Sequence, residues 1–213
     1  MESTTLSPSG PLTTYDPDGF YCEMLGGSGD PAEHTQAIRD RLNRLDLDEL
    51  RGRARDAELE LYSFGITFTV YTEREAIDRI LPFDVIPRVL SAEAWETIER
   101  GVTQRVTALN LFLWDIYHDQ KILKDGVIPR DLVLGNKNYC PQMQGIDVPL
   151  GTYVHINGTD LVRGDDGQFV VLEDNARCPS GVSYVVENRH LMQRSFPDLM
   201  SKIGIRPVSN YGQ

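Results

Sequence analysis

Only 3 of the 213 residues are cysteine, widely spaced and with no CxxC pair, so neither a disulfide framework nor a zinc-thiolate site is expected. Histidine is scarce too: His34, His118, His155 and His190 show no zinc-type spacing. Positive charge is in deficit. A net charge of −11 and a pI near 4.8 exclude a nucleic-acid surface and polybasic attachment to a membrane. No apolar run approaches the roughly 18 residues a membrane span needs. The start, MESTTLSPSG, lacks both a basic opening and an apolar signal core, so a cytoplasmic location is expected. G-x-x-x-x-G-K-[ST] and G-x-G-x-x-G are both absent, which disfavours P-loop and Rossmann readings, and no internal repeat is present.

What is present centres on Gly151–Asn188. Two β-rich runs, Tyr153–Arg163 and Gln168–Asn175, flank Gly164-Asp165-Asp166-Gly167. Asp-Gly between such runs signals a hairpin, because a type I′ turn needs positive φ at both central residues. With Asp166-Gly167 as a two-residue turn, counting outward sets Asp160 opposite Glu173 and Gly158 opposite Asn175. Opposed residues share a sheet face, so Asp160, Glu173 and Asn175 converge, with Phe169 and Val171 below them nearer the turn. Placing the turn at Asp165-Asp166 keeps that parity, whereas a three-residue turn breaks it.

Facing carboxylates destabilise a sheet unless a cation sits between them, and two carboxylates with an amide oxygen suit Mg²⁺. Spacing alone admits a second reading, the solvated outer face of an ordinary hairpin. The next residues favour the metal. Arg177 and Pro179-Ser180-Gly181 precede an expected helix over Val182–Arg194, and a helix start preceded by arginine is ready for phosphate.

Before this lie a mobile stretch (1–14), an aromatic segment Tyr15–Met24, and helices over Pro31–Leu45 and from an Asp48 cap to Phe64, with Gly65 at C′. The charged residues of the second helix, Arg51, Arg53, Arg55, Asp56, Glu58 and Glu60, read as a solvated face. Ile66–Tyr71 alternates as a strand, and Leu81–Pro87 reads as an extended connector. A long helix is expected from Ser91 to about Tyr117. It carries an apolar stripe of Trp95, Ile98, Val102, Val106, Leu109, Leu113 and Ile116, with Asn110, Trp114 and Asp115 available to a pocket. Asp119–Leu134 reads as two short helical pieces and Gly135–Gly145 as loop. Lys121, Lys124 and Arg130 are basic, but isolated cations are usually solvated.

The segments GITFTVY, LPFDVIPR, ERGVTQRVTALNLFLWDIYHDQKILKDGVIP, YVHINGTDLVR and VLEDNARCPSGVSYVVENR resemble the circularly permuted type 2 ATP-grasp family, which is similar to the synthetase domain of glutathionylspermidine synthases. The resemblance runs from Gly65 to Phe196 and is specific in LEDNxRxPSG. It implies an α+β, ATP-grasp-like fold and a carboxylate–amine ligase that uses ATP and Mg²⁺ through an acyl phosphate. It places the metal on Asp160, Glu173 and Asn175, the phosphates near Arg177, Ser180 and Gly181, and Arg163 beside the transferred phosphoryl group. Glutathionylspermidine synthases carry an arginine where this chain has Gly158. In that family the segment holding adenine follows the metal-binding one. The chain is therefore expected to be the N-terminal part (residues 65–213) of an incomplete fold after a helical segment (15–64), supplying half a site to a complementary half. Two further functions compete: a non-catalytic partner-binding module marked by an exposed apolar patch, and a nucleotide-free hydrolase using Asp160 and Glu173 as acid and base.

Overall fold

The computed structural model describes residues 10–12, 14–25, 32–71 and 76–212. Expectations for residues 1–9 and 13, for Pro31, and for the side chains of Phe68 and Val70 lie outside that description. In chain order the elements are α1 (Gln36–Leu42), α2 (Leu47–Ser63), β1 (Thr67–Tyr71), β2 (Ala76–Ile80), α3 (Ala92–Tyr117), α4 (Lys121–Lys124), α5 (Arg130–Leu134), β3 (Gly158–Arg163), β4 (Phe169–Asn175), α6 (Val182–Ser195) and α7 (Pro197–Met200). The fold is mixed α and β, with two separate two-stranded antiparallel sheets, β1–β2 and β3–β4. No described helix is long and apolar enough to cross a membrane.

Two compact units divide the chain. One gathers the described residues up to Ser91, Gly164–Gln168, and those from Gly181 onward; the other gathers Ala92–Arg163 and Phe169–Ser180. The first holds the principal core: Ile38, Leu42, Leu45, Leu50, Val85, Met192, Phe196 and Leu199, with Ala57, Leu61 and Leu191 as a second cluster. Leu42 and Leu45 come from one expected apolar face, but helix α1 itself covers only Gln36–Leu42, after a 3-10 turn at Glu33–Thr35.

Helix α2 starts on Asp46, not Asp48. The Asp46 backbone is extended and its carboxylate accepts the Glu49 N–H at 2.7 Å, which leaves Asp48 inside the first turn near the positive end of the dipole. Its far end follows expectation. Gly65 takes φ +66° and donates to the Tyr62 carbonyl at 3.0 Å, while Ile66 donates to Leu61 at 2.9 Å and packs on the Leu61 cluster. These two bonds and that apolar contact make up a Schellman ending. Two residues of the presumed solvated face have structural tasks. Arg53 donates to the Ser195 carbonyl at the end of α6, and its guanidinium lies 4.9 Å from the Phe196 ring centre; Glu60 pairs with Arg194 at 2.5 Å.

The aromatic segment Tyr15–Met24 is fixed by charge. Arg39 is only 8 % exposed and makes no ion pair among the described residues; its guanidinium donates to the carbonyls of Met24 (2.8 Å) and Ala32 (3.2 Å), to the Thr35 hydroxyl (2.9 Å) and to the Gln36 amide. Glu23 pairs with Arg88. Oxygen atoms of the chain thus take the place of the water lost on burial.

In the second unit, α3 has the expected ends, but of its apolar stripe only Ile116 is fully buried and Trp95 stays 43 % exposed. Buried with Ile116 in this unit are Tyr117, Leu123 and Val154. Asn110 and Asp115 are engaged by backbone N–H groups. The Asn110 amide oxygen accepts the backbone N–H groups of Tyr153 (2.7 Å) and Val154 (2.9 Å), pinning the approach to β3. The Asp115 carboxylate accepts the N–H groups of Lys121 and Ile122, both at 2.9 Å, and so caps α4. Trp114 stacks on His118, with ring centres 3.8 Å apart.

Candidate functional site

The β3–β4 ladder pairs Asp160 with Glu173 and Gly158 with Asn175, as counting from the Asp-Gly turn required. The route to that register differs from expectation. Gly167 donates to the Gly164 carbonyl at 2.9 Å, and Gly164 donates to Gln168 at 2.9 Å, so the loop is three residues long, Asp165-Asp166-Gly167. Asp165 and Asp166 keep negative φ while Gly167 takes +75°, as in a type I turn closed by a left-handed glycine. Gln168 N–H also donates to the Asp166 carboxylate at 2.9 Å. A three-residue turn alone would break the parity. A bulge restores it: Leu161 faces Val171 while Asp160 faces Glu173, which leaves Leu172 as the extra residue.

The bulge also corrects the residues expected beneath the three. Asp160, Val162, Val170, Leu172, Glu173 and Asn175 are exposed together, while Thr159, Leu161, Arg163, Phe169, Val171 and Asp174 are half-buried on the other face. Phe169 and Val171 therefore lie opposite the carboxylates. The Asn175 amide nitrogen donates to the carboxylates of Asp160 (3.4 Å) and Glu173 (3.2 Å), a partial counter to two facing negative charges. A half-turn of that amide exchanges its nitrogen for its oxygen, giving three hard oxygen donors side by side. That donor set fits Mg²⁺. It does not resemble a zinc centre, and among the described residues no group of three or more His, Cys, Asp or Glu is placed to hold a metal.

The back of the hairpin is held by Asp174, whose side chain is 9 % exposed and pairs with Arg105 of α3. Its carboxylate also accepts from Asn157 (3.2 Å) and the Thr159 hydroxyl (3.0 Å). Burial pushes the Asp174 pKa up, but the Arg105, Asn157 and Thr159 hydrogen bonds outweigh it and the group titrates below the ordinary carboxylate range. A lowered folded pKa contributes stability that is complete above the unfolded value of about 3.9 and is lost as pH falls through the folded one. Asp174→Asn is expected to cost about 1–2 kcal/mol at neutral pH, through loss of charge-assisted bonds. The gap to wild type should close below about pH 4 in urea unfolding followed across pH. A gap independent of pH would refute the assignment. Sequence reading missed this residue because its partner lies 69 positions away.

The other expected residues are distributed unequally. Arg163 is on the face opposite Asp160, with its guanidinium 4.5 Å from the Phe169 ring centre, and is not brought to the carboxylates. Arg177 and Ser180 are exposed in the loop after β4. Gly181, at φ +93°, is the residue before α6. Gly158 sits under that loop: a Cβ there would come 3.1 Å from the Pro179 Cβ and 3.6 Å from the Asn175 Cβ. A side chain at this position would press on the Pro179 ring, which must give by a few tenths of an ångström.

Residues 87–213 match a family described as a circularly permuted ATP-grasp. The chain is 42 % identical over 200 residues to an uncharacterized protein of Synechocystis sp., covering 94 % of this chain and 42 % of the relative. It is 44 % identical over 191 residues to an uncharacterized protein of Mycobacterium leprae, covering 90 % of this chain and 33 % of that protein. A Frankia alni protein provisionally named glutamate–cysteine ligase is 38 % identical over 197 residues, covering 91 % of this chain and 22 % of that protein. The chain thus spans less than half the length of each of these relatives.

Proposed function

Because the chain belongs to the circularly permuted ATP-grasp family, we propose that it carries the Mg²⁺- and phosphate-binding face of an ATP-dependent carboxylate–amine ligase. The observation that supports this is the convergence of Asp160, Glu173 and Asn175 on one exposed sheet face, with the amide within 3.4 Å of both carboxylates. The provisional name of the Frankia relative, a ligase, points the same way.

In this reading Asp160, Glu173 and the Asn175 amide oxygen hold Mg²⁺, which when bound supplies positive charge against the phosphate oxygens. Arg177 is exposed and makes no ion pair among the described residues, so its guanidinium is available to the same phosphates. Arg105 and Asp174 fix the hairpin from behind. The reaction is acyl activation: a substrate carboxylate takes the γ-phosphoryl group and ADP leaves. An amine nitrogen then attacks the acyl carbon, phosphate leaves, and the nitrogen gives up a proton to form the amide. Transfer of this kind depends on positioning and charge neutralisation, which is what carboxylates, a cation and an arginine provide.

Titration calorimetry of the purified chain with ATP tests the proposal. Binding in Mg²⁺ that disappears in chelator is expected; a folded chain that binds no ATP, or binds it equally without Mg²⁺, would overturn it. A second reading has its own observation. Val162, Val170 and Leu172 are 41 %, 51 % and 66 % exposed on the same face, an apolar patch that suits contact with a complementary ATP-grasp half. On that reading, amide formation with ATP appears only after such a half is added.

A further inference from the structure

The hairpin contains two irregularities that cancel, and the cancellation leaves a choice open. The three-residue turn with a bulge at Leu172 and a two-residue Asp166-Gly167 turn without one both pair Asp160 with Glu173 and Gly158 with Asn175. They differ only between turn and bulge. In the observed form Val162 faces Val170, and the carboxylate face continues as Val162, Val170 and Leu172. In the alternative, unbroken alternation would pair Val162 with Val171 and carry Phe169 and Val171 onto the carboxylate face. Nothing at the carboxylates themselves selects one form.

Besides the Arg163–Phe169 contact on the back face, a selecting contact lies at the turn. The Tyr21 ring is seated on Gly167: a Cβ there would lie 2.8 Å from Cε2, 3.2 Å from Cδ2 and 3.5 Å from Cζ. The ring is held in place by its neighbours, Glu23 through Arg88 and the Met24 carbonyl through Arg39 (2.8 Å) and Thr35 (3.2 Å). Converting the turn would move Asp166 and Gly167 from the end of a three-residue loop to its centre, carrying the Gly167 Cα out from under the ring.

We propose that Tyr21 is a positioning residue whose ring, seated on Gly167, holds the three-residue turn and so keeps Val170 and Leu172, rather than Phe169 and Val171, beside the metal-binding face. The structural part concerns the hairpin alone; the functional consequence rests on the ATP and Mg²⁺ reading above.

Cross-strand NMR contacts in the full chain report the register directly. Wild type and Tyr21→Phe, which keeps the ring, are expected to show Val162 against Val170. Tyr21→Ala is expected to show Val162 against Val171 in part or in whole, with ATP affinity in Mg²⁺ weakened about tenfold, the equivalent of one displaced apolar contact. Adding Asp165→Pro to Tyr21→Ala should restore the Val170 pairing, because proline is favoured at the second position of a type I turn. If Tyr21→Ala does not fold, Tyr21→Leu, which keeps apolar bulk without a flat ring, takes its place with the same expectations. A ring-less variant that retains only the Val162–Val170 contact overturns the inference, as does failure of Asp165→Pro to restore it. A wild-type chain that binds no ATP while the register still shifts would remove the functional reading and leave the positioning role intact.

Discussion

Glu173→Gln is expected to stabilise the metal-free chain and abolish its Mg²⁺-dependent ATP binding. The two effects have opposite signs and one origin. Glu173 stands directly across the ladder from Asp160, and facing like charges oppose strand pairing by roughly 0.2–1 kcal/mol. Both side chains are exposed, so solvent screening holds the gain to a few tenths of that order. With Mg²⁺ bound, the same carboxylate becomes a ligand. Losing partners one shell further out already costs about 10–100-fold in metal affinity, so losing this one should cost at least about 100-fold. Urea midpoints without metal, read beside calorimetry with Mg²⁺ and ATP, separate the cases. A carboxylate with only a structural role would give a lower midpoint and unchanged binding, and that result would sink the metal assignment.

The largest loss of stability is expected at Phe196. Its side chain is fully buried between α6 and α7, in the cluster to which α1 and α2 also contribute, and Arg53 lies over its ring. Truncating such a side chain removes its transfer free energy and leaves a cavity, about 3–5 kcal/mol in all. Loss of the cation–π contact adds roughly 0.5–1 kcal/mol. Domains of this kind have only about 5–15 kcal/mol in total, so Phe196→Ala should unfold a measurable fraction of the protein in buffer. Trp95→Ala is the control. That side chain is larger but 43 % exposed, and its loss should cost under about 1 kcal/mol. Comparable urea midpoints for the two variants would show that the core has been placed wrongly.

Features legible in the sequence are those set by neighbours a few residues apart. The limits of α3 follow from helical periodicity and the Gly65 ending from the need for a left-handed residue, whereas the Asp160–Glu173 pairing agrees with the count only because a three-residue turn and a bulge cancel. The turn was not legible, because Asp-Gly suits both loop lengths. The bulge was hidden for a related reason: Phe169, Val170, Val171 and Leu172 are all apolar, so no polar position marks where alternation breaks. The backbone bonds of Asn110 and Asp115 are not legible, because a polar side chain near a helix end looks the same in sequence whether it faces a ligand or a distant backbone N–H. The resemblance implies Arg163 on the phosphate side, whereas alternation along β3 puts it on the face opposite Asp160.

Gly158 and Pro179 are expected to be coupled. The ring of one occupies the space that a side chain on the other would need. A larger residue at 158 is therefore expected to enter more easily once the proline has gone and the Ala176–Ser180 loop can give way. Taken in the reverse order, the intermediate must shift the Pro179 ring by a few tenths of an ångström. The pair is an epistatic one, and in a library randomised at both sites arginine at 158 should be enriched where 179 is no longer proline.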